Sequence, residues 1–206
     1  MYLRSLRNKI DNTLPVWQWW VLAILAWFLF RRTMAWLEGL YQQTMFPVPV
    51  IEGQTAFDGQ LIKSYYAVLL ENDTMGDYLH VQLVDFGFML TMFAAMFCMT
   101  VATYRSLPKV KWLKGLAWII VLLAPLAPVF DALENFVSFF MIAKPESFAN
   151  WLAIPYSTFA VIKYALSGLG FVWTCLGAFI ALVALVVSLF QSKDNSLDKP
   201  NMKIIK

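Results

Sequence analysis

Asp131, Glu134 and Asn135 stand inside one of the most apolar stretches of the chain, "PVFDALENFVSF". Their spacing of three and four residues puts all of them on one face of a helix. An acid left unpaired at the centre of a bilayer costs roughly 2.5–3.5 kcal/mol on insertion scales. Pairing, protonation or a bound cation must offset that cost, and two carboxylates three residues apart also repel each other. The pair has the chemistry of an acid/base couple or of a cation-binding site. Asn135 can orient a carboxylate or a ligand.

Further charged residues fall in apolar surroundings. Asp85 follows "DYLHVQLV", Lys163 sits in "FAVIKYALSG", and Arg31 and Arg32 follow the first apolar run. At about 1.5 Å per helical residue, Asp85 lies about 9 Å below the outer surface, Glu134 and Asn135 about 12–14 Å, and Asp131 about 18 Å. Lys163 begins near the outer interface and can reach inward. Arg31 and Arg32 stand about 22 Å above Val16, near the depth of the acids. Asp85, Asp131 and Glu134 could then balance Arg31, Arg32 and Lys163. His80, the one histidine, marks the mouth of the second apolar helix as an interfacial hydrogen-bonding residue or a proton relay. Met89, Met92, Met96 and Met99 share a face with Asp85. Thioethers suit Cu(I), but such a stripe also suits adaptable packing or the wall of a greasy pocket.

The elements that must position these residues are membrane spans. Of 206 residues, 60% are hydrophobic and 14% charged, where soluble domains carry about 25% charged residues. Four apolar runs are long enough to cross a bilayer as helices, which takes about 20 residues. They cover about 16–37, 79–104, 116–143 and 164–190. Pro155 and the "SGLG" at Ser167–Gly170 suggest an interfacial helix or a kink before the fourth. The result is an all-α, polytopic four-helix bundle forming one membrane domain.

Charge sets the expected orientation. Arg105, Lys109, Lys111 and Lys114 occupy the second connection without an acid. Arg4, Arg7 and Lys9 lie near the start, and Lys193, Lys199, Lys203 and Lys206 in the tail at 191–206. In the long first connection Glu52, Asp58, Glu71, Asp73 and Asp77 outnumber Lys63. Both termini are expected in the cytoplasm, with loop 41–78 outside a bacterial inner membrane. Trp17, Trp19, Trp20, Trp112 and Trp118 would belt the inner interface and Trp151 the outer. "FPVPV" reads as an extended segment. "FDGQLIKSYYAVLLEN" reads as a short amphipathic helix lying on the outer surface.

Other chemistries lack their residues. No P-loop, GxSxG, HExxH or GxGxxG occurs. Cys98 and Cys175 lie inside spans as free, buried thiols, with no metal-ligand spacing. No cofactor and no metal centre is expected. Haem held across helices would want two histidines. Nucleic acid is excluded as a partner, because the basic residues only flank the membrane.

The runs "DYLHVQLVDFGFML", "LAPVFDALENF" and "FAVIKYALSG" resemble an uncharacterised group of bacterial four-helix membrane proteins. Those carry an Asp early in the second span, D-x-x-E-N in the third and a Lys at the start of the fourth, here Asp85, Asp131/Glu134/Asn135 and Lys163. The likeness covers roughly residues 55–175 and implies no activity. A looser likeness is to the EXPERA superfamily of emopamil-binding and sigma-2-like proteins. It implies an acidic pocket facing lipid.

The expectation is a pocket that binds or processes a lipid-soluble or amphiphilic small molecule from the outer leaflet. Asp131 and Glu134 would be its acid/base pair; Asp85, Asn135, Lys163, Arg31, Arg32 and His80 would be its ligand-binding set. Membrane lipids, a membrane-protein partner or a second copy are the expected partners. Two alternatives stay open. One is a non-enzymatic subunit whose charges lock an assembly; the other is a small proton- or cation-coupled carrier.

Overall fold

A computed structural model describes residues 2–197, with side chains to Ser188. Of the expected tail at 191–206, residues 198–206 and the side chain of Lys193 lie outside what is described, and 191–197 continue the last helix. The described chain is helical, with no strand. Four helical segments are long and apolar enough to cross a membrane: Val16–Gln43, Met75–Ser106, Lys111–Ile142 and Asn150–Ser188. Large apolar side chains face outward around the bundle, among them Phe28, Leu90, Phe136 and Phe179. A surface of that kind needs lipid rather than water around it.

Proline sets most of the breaks. A short helix α1 (Tyr2–Thr13) precedes Pro15, which stands just ahead of α2 (Val16–Gln43). Helix α5 (Met75–Ser106) stops at Leu107, whose extended backbone is what a following Pro108 demands. The third crossing is two helices, α6 (Lys111–Leu123) and α7 (Ala127–Ile142), joined by a 3₁₀ turn at Ala124–Leu126. Pro125 and Pro128 explain that turn, since each removes a backbone donor and crowds the preceding carbonyls.

Two small helices, α3 (Val50–Gln54) and α4 (Gly59–Glu71), lie in the long first connection. Asp58 caps α4, accepting from the backbone N–H groups of Gln60 and Leu61 at 2.8 and 3.3 Å. The apolar face of α4 is docked on protein instead of spread on the surface. Ile62, Tyr66 and Leu69 pack with Tyr78, Met141, Phe148 and Tyr156 over the ends of the spans. Burial pushes the Tyr66 phenol above its ordinary pKa. Gly59 permits this docking, because a methyl group there would come 2.6 Å from the Cα of Asn150.

The fourth crossing is one unbroken helix, α8 (Ala153–Leu197), with Pro155 in its first turn. The joint expected at "SGLG" does not form. The glycine there serves close approach instead. A methyl on Gly170 would lie 2.7 Å from the Ala124 Cβ and 3.1 Å from the Met96 sulfur, and one on Gly177 would strike the Thr103 methyl. Gly170 and Gly177 are two turns apart, so α8 seats on α5 and the 3₁₀ turn through small residues, as membrane helices commonly do.

Helix α5 is the hub, packed against α2, α6, α7 and α8. Its contact with α2 runs the length of both and includes two polar ties. Thr33 and Thr91 hydroxyls are 2.7 Å apart, and Trp20 Nε1 donates to Ser106 Oγ at 2.8 Å. Helix α2 has little contact with α8. The two meet where Trp27 stacks on Phe171, ring centroids 6.0 Å apart. Above that stack the helices stand clear of each other. Below it, Trp19, Val101, Leu113 and Ala117 form a closed apolar core with Ile10 of α1.

Candidate functional site

The D-x-x-E-N face of α7 points to the bundle interior. Asp131, Glu134, Asn135 and Ser138 are all buried. Lys163 reaches them from α8, with Nζ 2.6 Å from Asp131 Oδ1 and 2.5 Å from Glu134 Oε2. One ammonium thus bridges two carboxylates one helical turn apart. The contact with Asp131 is an aligned hydrogen bond. That with Glu134 is close but misaligned, and both Glu134 oxygens are without a hydrogen-bond partner among the described residues.

Asn135 serves the third acid. Its Nδ2 donates to Asp85 Oδ2 at 2.8 Å and reaches the Gln82 carbonyl at 3.3 Å. Ser138 Oγ lies 3.2 Å from Gln82 Oε1. Gln82 and Asp85 are three apart on α5, and Asn135 and Ser138 three apart on α7, so two polar rows face each other across the helix pair. Three carboxylates meet one ammonium here. Fully ionised, the cluster carries two negative charges in excess.

A cavity of about 760 Å³ opens beside this cluster. Asp85, Asp131 and Lys163 lie on its wall, as do Gln82, Tyr164 and Glu38. The rest is mostly apolar, from Met34 and Leu37 of α2 to Phe88 and Met92 of α5. The segment Phe46–Ile51 roofs it, and Gln54 of α3 ties that roof to α8 by accepting from the Tyr164 hydroxyl at 2.5 Å. Phe88 and Met92 form its floor, backed by Phe30, Met96, Trp27 and Leu166 in one apolar cluster. The volume falls within the range of about 300–1,000 Å³ usual for small-molecule pockets.

Asp85, Asp131, Asn135 and Lys163 therefore converge. Glu134 joins the ion cluster but is fully buried and does not line the cavity, so within the acid/base pair only Asp131 faces it. Arg31 and Arg32 stand apart from this cluster. Both are exposed, neither lines the cavity, and the ion pairs among the described residues belong to Lys163 alone. Arg31 reaches the sulfur of Met34, itself on the cavity wall, and stays exposed. His80 is also exposed and away from the cavity wall. Cys175, expected buried, is exposed on the lipid-facing side of α8, and Cys98 is half-buried. Met89, Met92 and Met96 are buried as packing, with Met92 on the cavity wall. No group of His, Cys, Asp and Glu among the described residues could hold a metal ion.

Sequence reading missed Gln82, Ser138, Gln54, Tyr164 and Glu38. For the first two a signal was present, since each lies three residues from a residue already singled out. No family model, no curated protein and no solved structure matches this chain.

Proposed function

We propose that this multi-pass membrane protein binds an amphiphilic or lipid-soluble small molecule in the pocket between α2 and α8. The observation that carries the reading is the wall of that pocket: a large apolar surface interrupted on one side by Asp85, Asp131 and Lys163. An apolar body would fill the space toward Met92 and Phe88. A head group that donates hydrogen bonds or carries positive charge would meet the excess negative charge. If chemistry follows binding, Asp131 is the group placed to exchange a proton with the ligand, with Lys163 holding its charge and Asn135 orienting Asp85.

The same proposal places the pocket in the outer leaflet of a bacterial inner membrane with both termini cytoplasmic. The basic end of the bundle supports that orientation. Kinship with the bacterial D-x-x-E-N group, or with the EXPERA superfamily, belongs to this proposal and rests on the motif residues alone.

The test is native mass spectrometry with lipidomics on detergent-purified protein. Wild type is compared with Asp85→Asn, which removes a charge from the wall, and with Ser167→Phe, which fills the pocket without touching a charge. Loss of the same co-purifying small molecule in both folded variants supports the reading. Retention in both refutes it. A second reading, a structural lock within an assembly, draws on the internal pairing of Lys163 with two acids. It predicts that Asp131→Asn/Glu134→Gln sheds a protein partner instead. A carrier needs a path to the opposite face, and the apolar cluster that backs the floor, with Phe30, Met92 and Met96 buried in it, stands against one.

A further inference from the structure

The opposite end of the bundle gathers cations around one tyrosine. Arg7 of α1 donates from Nε to the Tyr104 hydroxyl at 2.8 Å. Its guanidinium carbon lies 5.5 Å from the Tyr104 ring centre and 5.8 Å from that of Trp118. Lys114 of α6 donates to the Tyr104 carbonyl at 2.5 Å and stands 4.6 Å from the same ring. Arg105 donates to the Ile10 carbonyl at 2.5 Å, which pins α1 to the end of α5.

Arg4 and Lys9 on α1, with Lys109 in the α5–α6 turn and Lys111 at the start of α6, add four exposed cations to this end. Asp11 is the one carboxylate among these groups, and it accepts from the Tyr104 hydroxyl at 3.2 Å. Among the described residues none of these cations is in an ion pair. The corner is therefore a concentration of positive charge, seven cations around the single carboxylate of Asp11. It also lies at the level of apolar and aromatic side chains that face outward. Tyr2 and Leu3 of α1 are exposed, as are Trp17, Trp112 and Leu116. Trp112 and Leu116 are four apart, on one face of α6 beside Lys111.

We propose that this corner is a binding site for an anionic phospholipid. The phosphate is held by Arg7, Lys109 and Lys114, and the acyl chains run along the Trp112–Leu116 face of α6. Clustered cations at the end of a span, next to an amphipathic helix, suit a lipid phosphate. The outward apolar face favours a lipid over a free anion, which would have no use for Trp112 and Leu116. This inference is independent of the pocket between α2 and α8.

The experiment is native mass spectrometry of the full chain, offered phosphatidylglycerol and phosphatidylcholine in equal amounts. Wild type should retain phosphatidylglycerol in preference, and 0.5 M salt should weaken that preference through screening. Lys9→Gln, Lys109→Gln and Lys111→Gln remove exposed cations that make no internal hydrogen bond, so the fold is left intact. Each should reduce the preference by about fivefold, and the triple variant by on the order of a hundredfold. Equal retention of the two lipids by wild type overturns the proposal. So does a triple variant that behaves as wild type. Glycerol phosphate that displaces the lipid at equal concentration would show a site for free phosphate and would also overturn it.

Discussion

Removing the ammonium from the buried cluster tests the site most directly. Lys163→Met keeps the length and packing of the side chain and deletes its charge. Asp131 and Glu134 are then left without the cation that stands 2.6 and 2.5 Å from them. The side chains concerned are 8%, 5% and 0% exposed, so solvent does not screen them as it screens a surface pair. Breaking a buried pair from one side costs about 3–5 kcal/mol. For a chain of this size each kcal/mol lowers Tm by about 2–4 °C, giving an expected drop of about 6–20 °C. The assay is tryptophan-fluorescence melting in a mild detergent at one fixed scan rate. Lys163→Met/Asp131→Asn/Glu134→Gln neutralises the ammonium and both carboxylates it bridges, leaving Asp85 on its Asn135 donor, and should recover most of the loss, because charge and counter-charge leave together. A single variant that loses less than about 2 °C, or a triple variant no better than the single, would refute a buried, mutually dependent ion cluster.

The same melts bear on other contacts. Gly170→Val drives a side chain into Ala124 and Met96 and should cost about 1–3 kcal/mol, whereas Gly168→Ala meets nothing within 4 Å and should be neutral or slightly stabilising. Asn135→Leu strips Asp85 of its donor and should cost about 1–3 kcal/mol, with partial rescue by adding Asp85→Asn. Tyr164→Phe should cost about 1 kcal/mol and speed hydrogen exchange in the roof segment, since Tyr164 ties Gln54 to α8. Orientation can be read in whole cells lacking Cys98 and Cys175. A membrane-impermeant maleimide should label Asn72→Cys and spare Lys109→Cys, and the reverse pattern would invert the topology.

The four spans were legible because length and hydropathy carry that signal almost alone. The association of Asp131, Glu134 and Asn135 with Lys163 and Asp85 was legible because helical spacing and depth both pointed to it. Arg31 and Arg32 show where such reasoning stops. Depth along a helix gives height but not azimuth, and α2 turns those two residues outward. The placement of the pocket between α2 and α8 left no mark in the sequence. It arises because α2 leans on α5 along its length and leaves α8 aside, with Phe46–Ile51 folded across the gap. The "SGLG" was read as a joint because glycine both loosens a helix and lets another approach. Only the position of Ala124 and Met96 shows which use applies. The break at Ala124–Leu126 follows from Pro125 and Pro128, inside a run whose hydropathy hides it.

The apolar floor of the cavity, Phe88 and Met92 backed by Phe30 and Met96, has an electrical consequence. A membrane that stores energy as a voltage loses it through any continuous wet path, and a cavity lined with carboxylates is a natural start for one. Here the charged groups on the wall end above that floor, where the ring centroids of Phe30 and Phe88 lie 5.4 Å apart. Moving one charge across a full membrane potential is worth about 2.3 kcal/mol per 100 mV, and most of that drop would fall across the apolar layer beneath the floor. The bundle can keep its acids open to one side while remaining an insulator, so expressing it at high level should not depolarise a cell. Opening that layer by Phe30→Ala/Met96→Ala should make it leak.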